Sequence, residues 1–117
     1  MTLKVLHLRA ENTVDLLGTE VPHPALSWRI EAAERGVRQA RYRIRAAASP
    51  DRLAGDGLLL WDSGTVESGV TFDVRYGGPA LTSMERVWWA VEVTDDTGRT
   101  AISPPSWFEA GLMSPGD

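Results

Sequence analysis

The stretch Arg86–Asp95, Arg-Val-Trp-Trp-Ala-Val-Glu-Val-Thr-Asp, constrains the fold more than any other part of the chain. Val87, Trp89, Val91 and Val93 recur at every second residue, and an extended strand puts such a set on one face. A helix, with its period of about 3.6 residues, would scatter them. Asp95-Asp96-Thr97-Gly98 follows at once and predicts a hairpin turn, with Gly98 free to take positive φ. A strand this apolar on one side needs a second layer to cover it.

The rest of the chain offers that layer in short alternating runs. Leu6, Leu8 and Ala10 alternate with His7 and Arg9. Leu26, Trp28 and Ile30 share the inward face of the next run. In the third, Ala40, Tyr42, Ile44, Ala46 and Ala48 face one way and Arg41, Arg43 and Arg45 the other. Those small alanines leave room for the indoles of Trp28 and Trp89, since a core must reach close-packed density. Leu58–Trp61 is a short apolar run ended by Asp62-Ser63-Gly64, and Val70, Phe72, Val74 and Tyr76 share a phase in the one after it. Pro104-Pro105 interrupts the last ladder before Trp107–Ala110 resumes it.

Between these runs, Glu11–Pro24 has no period and carries Gly18, Pro22 and Pro24, which predicts a long crossing connection. Ala32–Gly36 is a turn, or at most a helix of barely one turn. Ser49-Pro50 predicts a capped helical turn. Leu81 is expected to tuck under the sandwich as a loop anchor.

The strands number seven, at 4–10, 25–31, 38–48, 58–62, 69–76, 85–94 and 101–110. The expected fold class is all-β: a seven-stranded antiparallel β-sandwich, fibronectin type III-like within the immunoglobulin-like group. The odd strand number and the absence of cysteine set it apart from an antibody domain. Residues 1–111 form the sandwich and 112–117 a boundary or linker tail.

Composition removes several functions. A net charge of -4 gives no global attraction to phosphate backbones or anionic lipid, and three arginines on one strand are too few for a nucleic-acid groove. Without cysteine there is no thiol nucleophile, disulfide or thiolate metal site. His7 and His23 lack partners at metal-ligand spacing. No apolar run approaches the roughly 18 residues of a membrane span. His7, Arg9 and Glu11 break up the N-terminal apolar segment, unlike a signal peptide. The expectations are therefore no cofactor, no metal, no nucleic acid and no membrane, with a cytoplasmic location if Met1 is the native start.

Five blocks in order carry a resemblance: Pro24-Ala25-Leu26-Ser27-Trp28-Arg29-Ile30, Gln39-Ala40-Arg41-Tyr42-Arg43-Ile44, Trp61-Asp62-Ser63-Gly64-Thr65-Val66, Arg86-Val87-Trp88-Trp89-Ala90-Val91 and Trp107-Phe108-Glu109-Ala110-Gly111-Leu112. With Leu8-Arg9-Ala10-Glu11 and Leu17-Gly18, they make nearly the whole chain resemble the N-terminal fibronectin type III-like module of bacterial alpha-L-rhamnosidases. The family often has Tyr-Tyr-Trp where this chain has Val87-Trp88-Trp89, a change that keeps the inward and outward phase. The resemblance implies a parent that hydrolyses terminal L-rhamnose from glycosides without an organic cofactor. Its acidic catalytic pair would lie in a separate helical barrel with no counterpart here. It implies for this chain a non-catalytic accessory role, with neighbouring domains of the same polypeptide as partners.

The residues agree with a non-catalytic part. Glycoside hydrolysis needs two carboxyl groups held roughly 5–9.5 Å apart across a sugar. The candidates are Asp62, Glu67, Asp73, Glu92, Asp95 and Asp96. Asp62 beside Trp61 superficially pairs a sugar-stacking ring with an acid, but Asp62 and Ser63 are better placed to shape a turn. Asp95 and Asp96 belong to the hairpin. Trp28 and Trp89 are core residues by phase, while Trp61 and Trp107 are expected to be half-buried. Trp88 points away from the Val87/Trp89 face, towards Ala90, Glu92 and, if the two long strands pair, Arg41, Arg43 and Arg45. Guanidinium groups stacked over its ring would cover it. The candidate surface is thus Trp88, Arg41, Arg43, Arg45 and Trp61. It would serve docking against a neighbouring domain or, as the alternative, carbohydrate binding through exposed tryptophans.

Overall fold

A computed structural model describes residues 3–10, 16–19, 23–32, 36–54, 59–79 and 85–110. Among them are nine strands and one helical turn: β1 (Leu3–Ala10), β2 (Leu16–Thr19), β3 (Ala25–Ala32), β4 (Gln39–Ala47), α1 (Pro50–Ala54), β5 (Leu59–Asp62), β6 (Val74–Arg75), β7 (Arg86–Asp95), β8 (Thr100–Ile102) and β9 (Ser106–Ala110). The smaller sheet has the order β1-β3-β6. The larger has the order β2-β9-β7-β4-β5, with β8 also on β7. All pairings are antiparallel except β2 with β9. The two layers enclose one core, in which Leu26 and Trp28 from the smaller sheet meet Ile44, Ala46, Val87, Trp89, Val91, Val93 and Phe108 from the larger. Trp28 and Trp89 are buried, as their phase predicts.

The sandwich class holds, but seven strands become nine among the described residues. The additional strands have identifiable origins. Leu16–Thr19, inside the expected connection, runs parallel to β9 and extends the larger sheet. The expected 101–110 strand divides at Pro104-Pro105, which supply no amide hydrogen to a ladder. Its halves, β8 and β9, lie on the same side of β7, at opposite ends of that strand. The expected 69–76 strand shrinks to Val74–Arg75. Val70 and Phe72 point into solvent, and only Tyr76 reaches full burial.

Two bulges change which residues face inward. On β1 the register slips between Leu6 and Arg9, so Leu3 and Val5 are buried before the slip and Leu8 and Ala10 after it. Leu6 is only half-buried. On β4 the slip between Gln39 and Arg41 turns Gln39 inward and leaves Ala40 half-buried. An extra residue in one strand reverses the alternation beyond it. Ala48, expected inward, lies exposed beyond the end of β4.

Local chemistry explains the punctuation. The Ser49 hydroxyl accepts from the Arg52 amide at 3.2 Å and caps α1. Gly98 takes φ +92° in the β7–β8 hairpin, where its amide donates to the Asp95 carbonyl at 3.1 Å. Leu81 and the 112–117 tail lie outside the described residues.

Candidate functional site

The outer face of the larger sheet carries Trp88 and the three β4 arginines singled out by sequence, but not in one cluster. Register pairs Arg41 with Thr94, Arg43 with Glu92 and Arg45 with Ala90, while Trp88 stands opposite Ala47. Arg41 and Arg43 find carboxylates instead. Arg43 grips Asp62 through two hydrogen bonds, and Arg41 lies 3.6 Å from Glu67. Hydrogen bonding from Arg43 holds the Asp62 carboxyl below its ordinary value against an opposing push from burial, helped by the Gly64 amide. Ser63 closes the same turn: its hydroxyl accepts from the Ile44 amide at 2.8 Å and donates to the Gly64 carbonyl at 2.8 Å. Asp62 and Ser63 are thus committed to backbone and arginine.

Trp88 meets Trp107, its cross-strand neighbour on β9, with ring centroids 6.4 Å apart. Arg86 lies over the Trp107 ring at 4.0 Å and donates to Glu109 at 2.8 Å. The guanidinium-on-indole contact expected on this face therefore forms between Arg86 and Trp107; among the described residues, no β4 arginine stacks on Trp88. Arg86 and Glu109 did not figure in the candidate surface. Alternation would have revealed them, because Arg86 shares the phase of Trp88, and Trp107 and Glu109 flank the inward Phe108.

Trp61 belongs elsewhere. It pairs with Ala46, whose partner on β7 is Trp89, so its ring turns towards the core and away from the Trp88 face. It meets Tyr76 edge-on at 5.4 Å, and Tyr76 meets Phe108 at 5.4 Å. A Cβ on Gly77 would come within 3.0 Å of the Trp61 indole, so only glycine lets the ring lie this close to that backbone. Burial, aided by the Glu85 charge, pushes the Tyr76 hydroxyl up to about 12. Trp61 thus closes one end of the core.

Two concavities flank these surfaces. A groove of about 720 Å³ runs between β1 and the Pro104-Pro105 connection, and among the described residues Glu31 is the single carboxylate lining it. A polar notch of about 170 Å³ lies on the β4/β7 face, where Glu92 is the single lining carboxylate among the described residues, beside Arg41 and Arg43. Neither brings together the two acids that glycosidic hydrolysis requires. His23 is exposed, with Nδ1 3.0 Å from the Tyr76 carbonyl oxygen; His7 lies on β1 and its side chain is outside the described residues.

The layered sheets, the single core and the polar outer faces define an immunoglobulin-like sandwich domain. Residues 5–114 match the family described as the Rha78A-like, N-terminal immunoglobulin domain, and the chain belongs to that family. It is 43% identical over 98 residues to an alpha-L-rhamnosidase of Streptomyces avermitilis, covering 83% of this chain and 9% of that protein. A crystal structure of Streptomyces avermitilis alpha-L-rhamnosidase complexed with L-rhamnose superposes with a TM-score of 0.88 at 38% identity, over 95% of this chain and 11% of that one. The alpha-L-rhamnosidase from Dictyoglumus thermophilum gives 0.89 at 26% identity, over 96% of this chain and 13% of that one. The chain spans about a tenth of the length of the curated relatives it matches. It is a small N-terminal domain type, and the relatives it matches are much longer polypeptides.

Proposed function

We propose that this domain is the accessory module of a larger alpha-L-rhamnosidase, a hydrolase that releases terminal L-rhamnose, and that it docks against a neighbouring domain of the same polypeptide. The observation that carries this reading is the patch of half-buried Trp88 and Trp107 with exposed Arg86 on the outer face of the larger sheet. Aromatic and arginine side chains dominate interface energetics. The patch includes β9, the last described strand. Arg41, Arg43 and Arg45 extend the surface along β4, and Glu67 and Asp62 fix where the Arg41 and Arg43 guanidinium groups sit.

Carbohydrate binding has less support. Sugars stack on a free ring face whose rim offers hydroxyl partners. Arg86 occupies a face of Trp107, Trp88 is half-buried beside it, and the Trp61 ring packs on Gly77 and Tyr76. Titration of the domain with L-rhamnose is expected to leave its tryptophan fluorescence unchanged.

The docking reading is tested in the full-length polypeptide. Trp88→Ser together with Trp107→Ser should lower the midpoint of thermal inactivation more than the same pair lowers the unfolding midpoint of the isolated module. Turnover of an aryl alpha-L-rhamnoside below that midpoint should not change. Equal losses in the two contexts would overturn the docking role.

A further inference from the structure

The segment between β5 and β6 passes from one sheet to the other. At Val66 it still pairs with Tyr42 of the larger sheet. By Thr71 its carbonyl accepts from the Trp28 amide of the smaller sheet at 2.9 Å. Between these points the Gln39 side chain holds it. The Gln39 amide nitrogen donates to the carbonyls of Ser68 and Val70, both at 2.9 Å, while its oxygen accepts from the Trp28 indole at 2.9 Å. The Ser68 hydroxyl also accepts from the Val70 amide at 3.1 Å. Asp73, at φ +53°, then turns the chain into β6.

A segment fastened this way would be expected to tuck its apolar side chains in, yet Val70 is 45% and Phe72 68% exposed. The two are spaced by two residues, and both side chains are exposed. We propose that Val70 and Phe72 form a preorganised apolar knob that seats in a socket on a later domain of the same polypeptide. This rests on the reading of the chain as a module of a longer protein, and it adds a second contact, separate from the Trp88/Trp107 patch.

Size decides the occupant. A free partner needs a patch of roughly 800 Å² per side for a stable complex, far more than two side chains present. A tethered neighbour faces no such requirement, because a linker raises its effective concentration to about the millimolar range. The module is N-terminal in its family and about a tenth of its relatives' length, so a large tethered remainder is the partner at hand. Fixing the backbone beforehand removes the ordering cost that a loose loop would incur on docking. Both side chains are hydrocarbon and offer a sugar no hydrogen-bond partner, which favours a protein socket.

The test uses the full-length polypeptide with the photoreactive residue p-benzoyl-phenylalanine in place of Phe72. Irradiation should join position 72 to a peptide beyond residue 117 of the same molecule. Crosslinks confined to residues 1–117, crosslinks between two copies, or none would overturn the knob. Separately, Phe72→Asp should raise the rate of protease cleavage between the module and the next domain about tenfold, the factor that follows from removing one buried aromatic contact. If Trp88→Ser with Trp107→Ser loosens the module and Phe72→Asp does not, the knob fails and sheet-face docking stands. If neither does, both fail.

Discussion

Trp28 and Trp89 occupy the same core but differ in what their indole nitrogens meet. Trp28 donates to the buried Gln39 side chain, whose own amide is used twice on the 68–70 backbone. The Trp89 nitrogen is buried with no hydrogen-bond partner among the described residues. Replacing Trp89 with Phe removes ring volume but also removes an unpaired buried donor. Replacing Trp28 with Phe removes similar volume and strands the Gln39 oxygen. Leaving a buried polar atom unpaired costs about 1–3 kcal/mol, so Trp28→Phe should be more destabilising than Trp89→Phe by about that amount. Urea unfolding of the two variants measures the difference, and a reversed order would refute the assignment of the Trp28–Gln39 bond as stabilising. Sequence phase placed both rings inward. Gln39 was not legible, because strict alternation puts it outward and only the bulge at Ala40 turns it in.

Among the elements, the β7–β8 hairpin shows how an acidic turn is held. Burial alone would push the Asp95 carboxyl up. The Thr97 hydroxyl, the Arg99 and Thr97 amides and the Arg99 guanidinium all donate to it, and together they hold it well below the usual carboxylate range. A folded-state value below the unfolded one means stability that is complete above about pH 4 and lost as pH falls towards the folded value. Asp95→Asn should therefore lower the unfolding midpoint at pH 7 and flatten the fall in stability below pH 4. An acid limb as steep as that of the original chain would show that other carboxylates dominate it. The hairpin was legible because Asp-Asp-Thr-Gly states its turn chemistry locally. The fate of 69–76 was not, since its period of two fits a strand whether or not a neighbour is there to pair with it. Gln39 and Trp28 take up its carbonyls, and the ladder shortens to Val74–Arg75.

At the scale of the molecule, two sheets enclose one core, and among the described residues neither groove holds paired acids. Catalysis in the proposed parent would then depend on the remainder of the polypeptide, with this module affecting its stability. Deleting residues 1–117 should lower the thermal-inactivation midpoint while leaving kcat on an aryl alpha-L-rhamnoside unchanged in the surviving protein. A matching loss of kcat at low temperature would place part of the chemistry in or against the module. The sequence by itself determined the sandwich, the inward tryptophans and the hairpin, because side-chain period and turn residues act over a few positions. Only the tertiary structure decided that Trp88 partners Trp107, that Trp61 faces the opposite way, and that Arg86 supplies the stacked cation. Those outcomes depend on register between strands far apart in the chain, and one inserted residue in a strand is enough to reverse them.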